Sequence, residues 1–328
     1  ELGEYITAIP PQMRSGQSWY GGTADAVYQN LYMLKRSGAE QVMILSGDHI
    51  YRMDYAAMLS RHKEHAAGLT VACMEVPLDQ AKQFGVMSID DTGRITRFEE
   101  KPENPTQAPG TQGLALASMG IYVFSMDLLL NVLEDDHQQE DSSHDFGNDI
   151  IPRLIEQEGV YAYRFGGESG RVSPDRYWRD VGTLDSFYEA NMGLLDPIPS
   201  LDLYQPDWPI RTYSSQYPPA RTVPGKTGNE GLFINSMIAG GVVIVGGGVQ
   251  HSILFPNVTI GEDAIIHDSI LFDGVNVGDG AELDRCIIDK GVRIPPGERI
   301  GLDPKRDSAR FTISEKGIVV VPKGYNFE

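Results

Sequence analysis

Cysteine is nearly absent: Cys73 and Cys286 are the only two in 328 residues, far apart and without metal-ligand spacing. That excludes a disulfide framework and suits a reducing compartment, so a cytoplasmic location is expected. Basic residues are scarce too, 27 Lys and Arg against 46 Asp and Glu, for a formal charge of −19. A surface so acidic argues against nucleic acid, whose phosphates demand positive charge. It leaves room for an anionic small substrate, because one pocket can be cationic on an acidic protein and a metal ion can supply the charge. No run approaches the roughly 18 apolar residues that a membrane-spanning helix needs. An initial methionine is also lacking: the chain opens Glu1-Leu2-Gly3-Glu4, which reads as the middle of a protein.

What is present is enough for sizeable cores, 41% hydrophobic residues over a length that predicts two domains. The stretch Val42-Met43-Ile44-Leu45-Ser46-Gly47-Asp48-His49-Ile50-Tyr51 reads as a buried strand delivering Asp48 to its C-terminal edge. Ligands gather at that edge in open α/β sheets. The plainer role for Asp48 is to cap the next helix or close a turn. Upstream, Glu1 to Gly16 reads as extended, and Gly21-Gly22-Thr23 feeds a helix that Thr23 would N-cap and Gly38 would end. Such a turn can receive an anion or a nucleobase edge, or can be an ordinary capped glycine turn.

Helix 54–66 and strand 69–76 follow, completing a βαβ alternation. Strands 84–89 and 94–98 flank Asp90-Asp91-Thr92-Gly93, a hairpin signature. Glu99-Glu100-Lys101-Pro102 comes next, with the proline expected to hold Lys101 extended. Strand 118–124, helices 126–134 and 146–158, strand 160–165 and a closing helix after Thr183 complete an α/β domain over 1–196. Asp180 is a second candidate carboxylate, unless it only pairs with Arg179 or caps that helix. Pro197, Pro199, Pro206, Pro209, Pro218, Pro219 and Pro224 mark 197–231 as a linker, and Trp208 and Tyr213 imply that it lies against something.

Beyond it, 232–328 repeats. Val258-Thr259-Ile260-Gly261, Val275-Asn276-Val277-Gly278 and Val292-Arg293-Ile294-Pro295 recur every 17 residues, in phase with Ser252-Ile253-Leu254, Ser269-Ile270-Leu271 and Cys286-Ile287-Ile288. Aliphatic-x-aliphatic-Gly at a short fixed period predicts a parallel β-helix with aliphatics stacked inward. The glycine density excludes helices.

Together these residues resemble a known family. Trp19-Tyr20-x-Gly22-Thr23-Ala24-Asp25-Ala26, Gly47-Asp48-His49-Ile50-Tyr51, Phe84-Gly85-Val86-Met87, Glu99-Glu100-Lys101-Pro102, Ala117-Ser118-Met119-Gly120-Ile121-Tyr122 and Trp178-Arg179-Asp180-Val181-Gly182-Thr183 resemble bacterial glucose-1-phosphate adenylyltransferase. Ser143-His144-Asp145-Phe146-Gly147 and Trp208-Pro209-Ile210-Arg211-Thr212 belong to the same pattern, and the match runs in order along essentially the whole chain.

The resemblance implies a Rossmann-like nucleotidyltransferase domain followed by a left-handed β-helix. The implied reaction joins ATP and α-glucose 1-phosphate to give ADP-glucose and pyrophosphate, with Mg²⁺ as cofactor, in glycogen synthesis. It implies Asp48 and Asp180 as metal positions, Lys101 on the sugar phosphate and Glu100 on glucose hydroxyls. Tyr20, Gly85, Ser118, Tyr122 and Trp178 would complete the sugar pocket, and Gly22, Thr23 and Asp25 would lie near adenine and ribose. A homotetramer is implied, with sugar-phosphate and nucleotide effectors near Arg36, Lys305, Arg306 and Arg310. The family's N-terminal glycine-rich loop and first strand-helix units have no counterpart in these residues, so residues 1–328 alone are expected to release no pyrophosphate. Rival readings are a transferase using UTP, dTTP or GTP, a non-catalytic regulatory subunit, and a hexapeptide acyltransferase using His251 or His267.

Overall fold

The computed structural model describes residues 6–11, 19–157, 159–167, 170–172, 176–212 and 215–327. Much of the expected extended course of 1–16, and Tyr213, lie outside them. Contacts divide the chain into two units, Glu1–Gly47 with Arg52–Arg176, and Asp48–Tyr51 with Tyr177–Glu328.

The first unit is built on one mixed sheet ordered Ile95–Glu100, Gly85–Ile89, Leu114–Ser125, Leu69–Pro77, Val160–Arg164, with Gln41–Ile44 also pairing on Leu114–Ser125. The βαβ expectation needs correction. Gln41–Ile44 and Leu69–Pro77 each pair antiparallel with Leu114–Ser125, which lies between them. The crossover helix Tyr55–Glu64 therefore spans an inserted strand. Gln41–Ile44 is only half-buried, because a sheet neighbour covers it on one side alone.

Strand Leu114–Ser125 is the spine. One of its edges pairs Ala117 with Val86 and Tyr122 with Ile44, leaving Ser118–Ile121 without a ladder partner on that side. Gly120 sits there at φ 65°, opposite a register shift between Val71 and Cys73. A left-handed residue inside a strand is a bulge, and glycine carries no Cβ to oppose it. The core below holds Leu69, Val71, Met87, Leu116, Phe124, Leu129 and Ile151.

The expected single helix from Thr23 to Gly38 is two, Thr23–Tyr28 and Leu31–Ser37, with Asn30 at ψ 8° between them. Asn30 spends its side chain on the Tyr20 hydroxyl and the Ala26 carbonyl, which holds the break. Gly38 ends the second helix in the left-handed region at φ 69°, as expected.

In the second unit the 17-residue repeat becomes a parallel β-helix. Strands Leu232–Ile234, Gly248–Gln250, Ile265–His267, Glu282–Asp284 and Arg299–Ile300 form one face, and two further sheets complete the coil. Val258, Val275, Val292, Ile260, Val277 and Ile294 stack inside, as do Leu254, Leu271 and Ile288. Their neighbours Ile270 and Ile287 point outward and are buried by helix Leu184–Met192 through Phe187 and Met192. That apolar contact is why the closing helix groups with the coil in the division between Arg176 and Tyr177. The first rung also begins early, since Arg221–Val223 pairs with Val243–Val245 inside the stretch expected to be linker.

Ser236, Ser252 and Ser269 occupy one corner of successive coils. Each Oγ accepts the backbone N–H of the residue stacked on it (Ser252, Ser269 and Cys286) and donates to the carbonyl two residues back. The hydroxyls satisfy amide groups that the left-handed corner residues His251, Asp268 and Arg285 turn away from the ladders. Tail strand Val319–Val321 pairs parallel with Cys286–Ile288, so it extends a sheet.

Candidate active site

In the second unit, His49–Tyr51 pairs antiparallel with Trp178–Asp180, setting His49 opposite Asp180. The long apolar stretch thus supplies two strands, Gln41–Ile44 and His49–Tyr51, and Asp48 lies in the turn just before the second instead of ending the first. The Val181 N–H donates to the Asp48 carbonyl at 2.9 Å, which pins the two segments together. Ligand atoms of Asp48, His49 and Asp180 all lie within 4.8 Å of one another.

Of the plainer roles considered for these carboxylates, helix capping and pairing with Arg179 are filled by other residues, while Asp48 does lie in the turn that precedes His49–Tyr51. Helix Tyr55–Glu64 is capped by Asp54, and helix Leu184–Met192 by a Thr183–Ser186 capping box. Arg179 pairs with Glu189. Asp180 Oδ1 accepts the Gly182 N–H at 2.7 Å, and a Cβ on Gly182 would stand 3.0 Å from Asp180 Oδ1 and 3.3 Å from Asp48 Oδ2. Glycine keeps open the space that both carboxylates face. Two carboxylates beside open space, completed by phosphate oxygens, is the donor set Mg²⁺ takes. Trp178 packs edge-on against the His49 ring, 5.0 Å between centroids.

In the first unit, the hairpin edge and strand Leu114–Ser125 bring together Gly85, Glu100, Lys101, Ser118 and Tyr122. Glu100 lies opposite Gly85 in register, and a Cβ on Gly85 would come within 2.9 Å of Glu100 Oε2. A Cβ on Gly147 would come within 2.6 Å of the same oxygen. Lys101 Nζ is 3.8 Å from Glu100 Oε1 and mostly exposed. Its backbone corrects the expected extended conformation: Lys101 is left-handed at φ 45°, and its N–H donates to the Phe84 carbonyl at 3.1 Å. For a residue that is neither Gly nor Asn and that precedes proline, this costs about 1–2 kcal/mol, and such outliers cluster at functional sites.

Burial pushes the Glu100 carboxyl above its ordinary range; Lys101 pulls it down and Asp145 raises it again. Burial likewise pushes the Tyr122 hydroxyl up to about 12, against its hydrogen bond with Ser118. The tyrosine therefore stays protonated as a donor at neutral pH. For Glu100 the sign is definite. Its raised folded pKa gives stability that is present below the ordinary glutamate value of about 4.3 and is lost as pH rises through the folded value. Glu100→Gln is expected to melt about 1–2 °C above the parent at neutral pH. That gap should close as pH falls below the glutamate range, and calorimetry across pH checks both points.

The helix entry Gly21-Gly22-Thr23 is arranged otherwise than expected. Gly22, not Thr23, holds the N-cap position, without a side-chain cap. The first-turn N–H groups of Ala24 and Asp25 donate to the His144 carbonyl at 2.8 and 3.4 Å. Thr23 Oγ1 donates to Asp145 Oδ2 at 2.9 Å and accepts the Phe146 N–H at 3.2 Å. Asp25 is buried and accepts the Gly21 N–H and the Gln29 amide, both at 2.8 Å.

The partner of this turn is Ser143–Gly147, to which sequence reasoning assigned no role. His144 Nδ1 lies 2.8 Å from buried Asp136, which also takes Arg153 and Ser142. Asp145 caps the turn Phe146–Ile150 through the N–H groups of Gly147 and Asn148. The signal in the sequence was only the short polar run Ser143-His144-Asp145; the left-handed backbone of His144, at φ 54°, is visible in the structure alone.

The effector-like cations differ among themselves. Arg36 is exposed in the last turn of its helix. Lys305 is exposed in helix Pro304–Ser308, which Asp303 caps. Arg306 and Arg310 both reach Glu298, at 2.8 and 3.1 Å, and Arg310 also lies over the Phe311 ring. Burial, the largest single influence, would raise the Glu298 carboxyl, but the hydrogen bonds from Arg310 and the Arg299 N–H together with the charges of Arg310 and Arg306 outweigh it, and the group lies below its ordinary range. This patch is thus partly neutralised from within, by a glutamate the spacing of the arginines did not disclose. Among the described residues no helix is long and apolar enough to cross a membrane.

Comparison with known proteins finds two families matched in succession along the chain. The family described as Nucleotidyl transferase matches residues 4–197, and GlmU-like, C-terminal hexapeptide matches 218–321. Glucose-1-phosphate adenylyltransferase 2 of Vibrio parahaemolyticus is 62% identical over 327 residues, 100% of this chain and 81% of that protein. The Vibrio cholerae protein of the same name is 60% identical over 100% of this chain and 80% of its own length. Glucose-1-phosphate adenylyltransferase of Nitrosospira multiformis is 45% identical over 97% and 75%. With identity this high along its whole length and both domains in the matching order, the chain belongs to the glucose-1-phosphate adenylyltransferase family.

Proposed function

We propose that the protein makes ADP-glucose and pyrophosphate from ATP and α-glucose 1-phosphate, in the cytoplasm, for glycogen synthesis. The observation that supports this is the Asp48–Asp180 pair facing one space kept open by Gly182, with the neighbouring helix caps and Arg179 taken by other residues. A sugar-phosphate oxygen attacks the α-phosphorus of ATP in line and pyrophosphate leaves, chemistry that rests on positioning and charge neutralisation. Asp48 and Asp180 would hold Mg²⁺, which supplies positive charge to the phosphates when bound. Lys101 holds the sugar phosphate, and its strained backbone supports that role. Glu100 and the Tyr122 hydroxyl, with Ser118, Gly85 and Tyr20, take the glucose, and Trp178 lines its binding. Gly22, Thr23 and Asp25 shape the adenosine end through their packing on 143–146.

The catalytic domain covers 1–196, joined by 197–231 to the β-helix domain 232–328, and the protein works as a homotetramer. Arg36, Lys305, Arg306 and Arg310 receive sugar-phosphate and nucleotide effectors. Pyrophosphate release by the complete reading frame, with ATP, UTP, dTTP and GTP each offered with glucose 1-phosphate, tests the reading. ATP-selective, Mg²⁺-dependent release is expected. Selectivity for another nucleotide would move the function to a different sugar nucleotidyltransferase, and silence with all four would point to a regulatory subunit.

A further inference from the structure

Arg179 lies on the strand that carries Asp180, yet its guanidinium is bound by Glu189 of helix Leu184–Met192. The other oxygen of that carboxylate takes Lys316 Nζ. Lys316 belongs to the turn joining Thr312–Ile313 to Val319–Val321. One helical turn before Glu189, Asp185 accepts from Ser314 Oγ at 2.5 Å and from the Lys316 N–H at 3.3 Å. Residues four apart share a helix face, so Asp185 and Glu189 grip the same hairpin turn side by side. Arg285 Nη2 donates to the Lys316 carbonyl at 2.8 Å from the coil beneath.

A single half-exposed ion pair of this kind contributes little by itself. Here one carboxylate serves two cations from separate elements, and neutral hydrogen bonds fix the same turn. Geometry at one end is therefore passed to the other. The hairpin leads directly from helix Pro304–Ser308, whose end is bound by the Phe311 N–H to the Asp307 carbonyl at 2.8 Å.

We propose that Glu189 is a positioning residue for the metal-holding strand, tying Arg179 to the C-terminal hairpin at Lys316 so that a disturbance of the hairpin reaches Asp180 and Asp48. The link rests on the reading of those two carboxylates as metal ligands. It gives the patch at Lys305, Arg306 and Arg310 a physical route to the chemistry, through a residue that touches neither substrate nor metal.

The test uses the full chain as Glu189→Gln, Lys316→Met and the double variant. Hydrogen exchange is followed at the Val181 and Gly182 amides, which donate to the Asp48 carbonyl and to Asp180 Oδ1. Mn²⁺ binding is followed by the loss of the free-ion electron paramagnetic resonance signal, with Asp48→Asn as control. Each single variant is expected to exchange about threefold faster at these amides and to bind Mn²⁺ about threefold more weakly. The double variant should do no worse than Glu189→Gln, because both substitutions break one link. Parent-like exchange in Lys316→Met, or effects that multiply in the double variant, would overturn the proposal. Mn²⁺ binding that survives Asp48→Asn would overturn the metal reading and with it the site this link serves, whatever the amides show.

Discussion

In the complete reading frame, Asp48→Asn and Asp180→Asn are each expected to lower kcat/KM for pyrophosphate release on the order of a thousandfold, about 4 kcal/mol of transition-state stabilisation. Asparagine keeps the shape of the side chain and an oxygen that can still accept the Gly182 N–H, so the strand pair at 48–51 and 178–180 stays assembled. What is lost is charge. Two carboxylates whose ligand atoms come within 4.8 Å repel each other in the absence of a cation. The melting temperature of each variant should therefore equal or exceed that of the parent when no metal is added. Raising Mg²⁺ should rescue the variants only weakly. A variant that keeps parental turnover would remove its carboxylate from the metal set, and one that unfolds would make it structural.

Gly22→Ala is expected to cost about 2–3 kcal/mol of stability, read as a lower denaturant midpoint. An added methyl would overlap the carbonyl oxygens of Ser143 and His144. Those atoms cannot yield easily. His144 is held by Asp136, while Ser143 and the Asp145 N–H are both held by Asp149 at 2.5 and 3.0 Å. The His144 carbonyl is also the acceptor for the first-turn N–H groups of helix Thr23–Tyr28. Loss of activity should then follow loss of folded protein. A variant with the parental midpoint and a raised KM for ATP would instead assign Gly22 to direct nucleotide contact.

Among the elements, the β-helix was the most legible. Its period repeats one interaction, an aliphatic stacked on an aliphatic, so each coil restates the same physical requirement and Val258, Val275 and Val292 announce one another. The hairpin at Asp90–Gly93 was legible for a similar reason: Asp90 Oδ1 satisfies the Thr92 and Arg94 N–H groups locally, at 2.8 and 3.1 Å. The break at Asn30 was not, because a helical apolar period continues across it, and the asparagine side chain is held by the Ala26 carbonyl together with the Tyr20 hydroxyl.

The sequence by itself determined the chemistry on offer. Asp48, Asp180, Glu100, Lys101 and Tyr122 stand in fixed order along the chain, carboxylates, an amine and a hydroxyl whose ordinary chemistry is set by residue type. Tertiary structure decided which of those groups are free to act. Asp180 is released because Glu189, remote in sequence from the hairpin it also grips, takes Arg179. The first helix turn is closed because His144 reaches it from more than a hundred residues away. Glu100 is destabilised as an anion by burial beside Gly85 and Gly147, elements that meet only once the sheet has formed. Residue type and local spacing set what a side chain can do. Competition for its partners is settled by residues distant in the chain, and that competition exists only in the folded state.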